Sequence, residues 1–128
     1  MTDHNLDELL EIVSRKQRID QGSTWSDGSA TYLGELKKEI DELAAEIGKG
    51  KPNFLEDELA DVLWDYLNLV LCLAQEEGIS INGVLSRAAR KYDERISGVE
   101  QGRTWKEIKE EQKVRLLAEL KKIEQDPQ

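Results

Sequence analysis

The chain has 128 residues, 35% of them charged and 38% hydrophobic, and a formal net charge of −9. Its one cysteine, Cys72, excludes an internal disulfide and points to a reducing compartment; its one histidine, His4, excludes His-based metal sites and Ser–His or Cys–His catalysis. The length fits one domain over residues 1–128, with a core at about 5–115 and a charged C-terminal helix and tail.

Taken in chain order, the segments read as helices. Leu6, Leu9, Leu10, Val13 and Ile19 mark a first helix over about residues 5–20, with His4 in a preceding tail. Residues 21–28 contain two glycines, two serines and Trp25, and read as a loop. A second helix is expected over about 29–47, stopped by the Gly48-Lys-Gly-Lys-Pro52 run. A third is expected from Asn53, which has a capping-box spacing to Glu56, to near Gly78. The fourth covers about 80–96, and a Thr104/Glu107 box opens a fifth from Trp105 to about Ile123. No alternating stretch of Val, Ile and Thr predicts a sheet, so the expected fold is all-α, a four- to five-helix bundle.

The charge is unevenly spread. The first 84 residues hold 18 Asp and Glu against 7 Lys and Arg, a balance of −11; the rest hold 9 against 11, a balance of +2. So acidic a first part argues against nucleic acid as a partner. The N-terminus is acidic and lacks the apolar stretch of a signal peptide. The uncharged run from Tyr66 to Gln75 is far short of the roughly 20 residues a membrane span needs. A cytoplasmic protein is expected.

The third helix is apolar around most of its circumference, which predicts burial, yet Glu58, Asp61, Asp65 and Asn68 interrupt it. At 100° per residue these four share one arc of about 80°. Buried carboxylates need water, bases or a cation. The second helix carries a matching stripe, Glu35, Glu39, Glu42 and Glu46, bordering an apolar face of Leu33, Leu36, Ile40, Leu43 and Ile47. Glutamates one turn apart repel, so the row is no stability device; by itself it is also compatible with a solvated helix face. The short turn between the helices makes them antiparallel neighbours, which would bring Glu39, Glu42, Glu58 and Asp61 together. Oxygen-only ligands select Mg²⁺, or Mn²⁺ as a substitute.

The pattern Glu39-Ile-Asp-Glu42 followed sixteen positions on by Glu58-Leu-Ala-Asp61 resembles the E-x-x-E … E-x-x-D signature of the MazG-like nucleotide pyrophosphohydrolases. Lys91-Tyr-Asp-Glu-Arg95-Ile-Ser-Gly-Val-Glu100 is similar to that family's K-[FY]-x-x-R-[FI]-x-x-V-E segment, and Trp105-Lys-Glu-Ile-Lys109 to the W-x-x-[VI]-K that often follows. Trp25 stands where a tryptophan commonly precedes the first motif, and the resemblance covers roughly residues 20–115. Lys38 stands where the family often has Glu, Ala88 and Ala89 where many members have Asn, and Asp65 at a variable position.

The resemblance implies an all-α enzyme that hydrolyses nucleoside triphosphates, NTP or dNTP, to monophosphate and pyrophosphate with Mg²⁺. House-cleaning of non-standard nucleotides is one such role. It implies Glu39, Glu42, Glu58 and Asp61 as metal ligands, with Glu39 or Glu42 orienting the attacking water. Lys91 and Arg95, one turn apart, are candidates for gripping phosphate oxygens, or else a solvated basic face. Trp25 is a candidate for stacking on a base or for anchoring its loop; Asp65 and Asn68 are candidates for contacting substrate. Trp64 and Tyr66 read as core or subunit contacts. The apolar third helix predicts association, and the resemblance implies a homodimer or tetramer. The rival classes are a non-catalytic acidic helical binding or scaffold module, and a narrow-substrate relative acting on dUTP, dCTP or phosphoribosyl-ATP.

Overall fold

A computed structural model of the chain describes residues 2–125, with side chains from residue 4 onward. Five helices follow one another: α1 (Thr2–Gln21), α2 (Ser29–Glu46), α3 (Pro52–Glu77), α4 (Ile81–Glu100) and α5 (Trp105–Gln125). No strand occurs among the described residues, so the fold is all-α as expected. Among the described residues no helix is long and apolar enough to cross a membrane. The chain forms two compact units, Met1–Ile81 with α1, α2 and α3, and Asn82–Gln128 with α4 and α5.

Helix ends follow local chemistry. α1 starts earlier than expected, so His4 lies in the helix, exposed. α3 begins at Pro52 rather than Asn53. Proline takes the first helical position, where its missing N–H costs nothing, and no side-chain cap forms there. The Asn53–Glu56 spacing is therefore not used as a box. Gly48 and Gly50, both at positive φ (86° and 72°), make the turn that reverses the chain between α2 and α3. α4 runs four residues past Ile96. It stops where Gly102 adopts φ 90°, Gly102 N–H donates to Val99 O, and Arg103 N–H donates to Gly98 O. At the start of α5 the expected box is half realised: Glu107 N–H donates to Thr104 Oγ1 at 3.1 Å.

In the first unit, Val13 of α1, Tyr32 of α2 and Leu67, Val70 and Cys72 of α3 form the buried core. A polar thread runs through it. Cys72 Sγ donates to Gln17 Oε1 at 3.3 Å, Gln17 Nε2 donates to Asn68 Oδ1 at 2.9 Å, and Asn68 Nδ2 donates to the Trp64 carbonyl at 3.0 Å. Each side chain of this thread thereby has a partner, which fixes the register of α1 on α3. The start of α2 is capped from far along the chain: Ser29 N–H and Oγ donate to the two oxygens of Glu76, at the end of α3. These hydrogen bonds hold the Glu76 carboxyl below its ordinary range. Against expectation, much of the apolar surface of α3 is not buried within the chain: Phe54, Leu59, Leu63 and Tyr66 remain exposed, as do Leu33, Ile40 and Ile47 of α2.

In the second unit α4 and α5 pair antiparallel. Gln112 Nε2 donates to the Lys91 carbonyl and to Glu94, Arg115 pairs with Glu94, and Arg87 pairs with Glu119. At Gly98 the two helices come close together. A Cβ there would fall inside contact distance of Ile108 Cδ1 and lie 3.2 Å from its Cγ1. Ile108 is itself 1% exposed and has little room to move. Gly98→Ala is therefore expected to cost about 1–3 kcal/mol by overpacking, read as a lower midpoint in urea denaturation. An unchanged midpoint would show that Ile108 repacks freely.

Candidate metal centre

The geometry of the acidic site follows from the α2–α3 hairpin. Its tight turn runs the two helices side by side in opposite directions, and each presents acids at i and i+3 to the other. One carboxylate oxygen each from Glu39, Glu58 and Asp61 lies within 4.8 Å of the other two. Three oxygens around them, Glu39 Oε2, Glu58 Oε2 and Glu46 Oε1, are buried with no hydrogen-bond partner. Orphaned anionic oxygens packed this closely are costly unless a cation joins them. No histidine or cysteine is near, so this all-oxygen donor set fits a hard divalent ion such as Mg²⁺ or Mn²⁺.

The electrostatics agree with the crowding. Burial, then a hydrogen bond and charge from Glu42, then the charges of Asp61 and Asp65, push the Glu39 carboxyl up to about 7. Burial and the charge of Glu42 lead the causes that raise Glu58, followed by Asp61, Asp57 and Glu46. Burial raises Asp61 as well, with Asp57 and Glu42 next. Asp65, almost wholly buried on α3, is pushed up to about 6 by burial and then by Glu35, Asp61 and Glu42. All four shifts disfavour the charged form, and a cation bound among these carboxylates would oppose them.

Three of the four expected ligands are thus brought together directly. Glu42 is exposed, outside that tight group but in hydrogen-bond reach of Glu39, and stands at its rim. Asp65 lies within the same field. Glu46 was on the expected stripe but not among the expected ligands. Its buried free oxygen and its charge on Glu58 bring it to the site, while Lys49 stands 3.9 Å from its other oxygen. Its signal was its position, one turn past Glu42 and seven residues past Glu39.

Asn68 is not brought to the cluster. It is fully buried, and its amide joins α1 to α3, so it holds the helices together instead of facing a ligand. Trp25 is half-exposed on the loop before α2. Its ring meets Tyr32 edge-on at 5.6 Å between centroids, and Lys16 Nζ sits 4.3 Å from its centre. Lys16 and the Tyr32 hydroxyl both bond to Asp20, so the ring rests on a fixed polar platform. Burial and this carboxylate raise the Tyr32 hydroxyl well above its ordinary range and keep it a donor. Lys91 and Arg95 lie in the second unit. Arg95 is buried, its Nε donating to Gln112 Oε1 at 2.7 Å and its guanidinium 5.1 Å from the rings of both Tyr92 and Trp105.

An all-α chain whose paired helices converge carboxylates, and carboxylates only, on one another is of the class that handles a hard divalent ion. The pattern of the MazG nucleotide pyrophosphohydrolase domain matches residues 27–99, more than half of the chain, and the protein belongs to that family. Membership indicates a nucleotide pyrophosphohydrolase acting on nucleoside triphosphates. The matched span takes in every acid of the cluster together with Lys91 and Arg95, crosses the boundary between the two units, and leaves out Trp25 and α5. Comparisons with curated proteins and with solved structures returned no match.

Proposed function

We propose that this protein hydrolyses nucleoside triphosphates, NTP or dNTP, to the monophosphate and pyrophosphate in a Mg²⁺-dependent reaction, non-standard nucleotides among its substrates. The observation that carries the proposal is the cluster of Glu39, Glu58 and Asp61 oxygens, with buried oxygens left without partners. These three side chains hold the ion and Glu46 adds charge beneath them. Bound there, Mg²⁺ or Mn²⁺ lowers the pKa of a coordinated water and offsets charge on the phosphates.

The chain's own residues do the rest. Glu42, at the exposed rim and linked to Glu39, orients a water and accepts its proton; Glu39 is the second candidate. Asp65 tunes the field at the ligands. Trp25, with its ring braced by Tyr32 and Lys16, offers a face for stacking on a base. Lys91 and Arg95 grip phosphate oxygens. The active form is a homodimer, or a tetramer made of two such dimers. Leu33, Leu36, Ile40, Leu43 and Ile47 alternate at three and four residues along α2, the spacing of a helix-packing seam, and three of the five are exposed. A reducing, cytoplasmic setting suits the free thiol of Cys72.

The test is release of pyrophosphate from a panel of NTPs, dNTPs and damaged nucleotides, with Mg²⁺, with Mn²⁺ and with chelator. Pyrophosphate from at least one nucleotide, lost on chelation, is the expected result. No pyrophosphate from any of them would make the protein a binding module instead.

A further inference from the structure

Trp25 is 52% exposed on the loop before α2, yet its ring is held in place. Tyr32 meets the indole edge-on, and Lys16 Nζ stands over it, 4.3 Å from its centre. Lys16 is itself anchored. Its ammonium donates to the Asp20 carboxylate and, at 3.0 Å, to the Tyr32 hydroxyl, which in turn donates to Asp20. Both anchors are buried, the Asp20 side chain to 8% exposure and Tyr32 to 1%. Bonds between an ammonium and a carboxylate are among the strong ones, so the cation over the ring has a fixed place. The loop does not need this contact to close. Asp27 N–H donates to Thr31 Oγ1, Gly28 N–H to Ser26 Oγ, and Ser29 N–H to Glu76. The lysine covers one face of the indole and the phenol approaches its edge, which leaves the opposite face open. Among the described residues no other ring or cation meets it.

We propose that Trp25 is a one-sided stacking platform that ranks nucleotides by the size of their base, purine above pyrimidine, and that Lys16 is the positioning residue that sets this preference. The proposal rests on the hydrolysis of nucleoside triphosphates argued above and adds which of them are preferred. Stacking reads the π-face of a base, not the donors and acceptors on its edge. A bicyclic purine overlaps the bicyclic indole more fully than a pyrimidine does, and buries more area on it. A ring already held in place loses little freedom when a base settles on it, so the gain appears as affinity. Lys16, Asp20 and Trp25 all lie outside the residues matched to the family.

The test is steady-state kinetics of the full chain with Mg²⁺ on ATP, GTP, CTP and UTP, read as monophosphate formed, with pyrophosphate as a base-free competitor. Lower KM for both purines at similar kcat is expected. Trp25→Ala should raise purine KM at least about fivefold, raise pyrimidine KM less, and so collapse the preference. Lys16→Met keeps the length of the stem and suits a helix while removing the charge. It should raise purine KM about three- to tenfold with kcat within about twofold. It should add nothing in the Trp25→Ala background, since the lysine acts through the ring. Lys16→Arg, which also holds a cation over an indole, should restore the parent value. Inhibition by pyrophosphate should be the same in all variants, whereas loss of a merely steering charge would weaken it too. Hydrolysis that favours pyrimidines, a preference that survives Trp25→Ala, or Lys16→Met and Trp25→Ala effects that simply add would each overturn the proposal while leaving the hydrolysis reading standing. Absence of hydrolysis of any nucleotide would remove both.

Discussion

Glu58→Gln and Asp61→Asn are each expected to lower Mg²⁺-dependent pyrophosphate release at least about a hundredfold, since even partners one step removed from metal ligands cost about 10–100-fold. Both substitutions keep size and shape, and each removes one of the three converging oxygens' charges. Helicity by circular dichroism should be unchanged. Because burial and neighbouring acids raise both carboxyls, the metal-free variants should be no less stable than the parent, and Glu58→Gln more so. That pairing of lost activity with retained or improved stability separates a cation site from a structural cluster. Full turnover in both variants would refute the ligand assignment.

The stability of the metal-free protein is expected to fall as pH rises from about 5 to about 7.5. The sign follows from the raised carboxyls. Asp65 titrates at about 6 and Glu39 at about 7 in the folded chain, above their ordinary values. Each therefore contributes stability that is fully present below its unfolded pKa and is lost as pH climbs through the folded one. Glu76, Glu94 and Glu111 are lowered and act in the opposite sense, but only at more acid pH. In chelator, the melting temperature should be higher at pH 5.5 than at pH 7.5. Mg²⁺ should reverse the order by binding the ionised cluster. At a hundred times its dissociation constant it adds about 2.7 kcal/mol, which is several degrees for a chain of this size. A melting temperature at pH 7.5 indifferent to Mg²⁺ and Mn²⁺ would remove the cation from the account.

The sequence by itself determined the local terms. Helix periods, the Gly48–Pro52 breaker and the Thr104 cap are short-range, so all five helices were legible to within a few residues. The two acid stripes were legible because a helix's period puts i, i+3 and i+4 on one face whatever surrounds it. The motif spacing made the family legible too. Only the tertiary structure decided which acids converge. The side-by-side run of α2 and α3 brings Glu39, Glu58 and Asp61 within 4.8 Å, leaves Glu42 at the rim and adds Glu46. It also decided that Asn68, on the same arc as the ligands, turns to Gln17 of α1, a partner 51 residues away that no local pattern reveals. Arg95 changed in the same way, from a charge on a helix face to a buried group clasped by Gln112 of α5. The apolar surface of α3 was visible as composition, but only packing showed how much of it a single chain leaves uncovered. Periodicity assigns a residue to a face; which neighbour that face meets is set by long-range packing, and there the pattern along the chain carries no information.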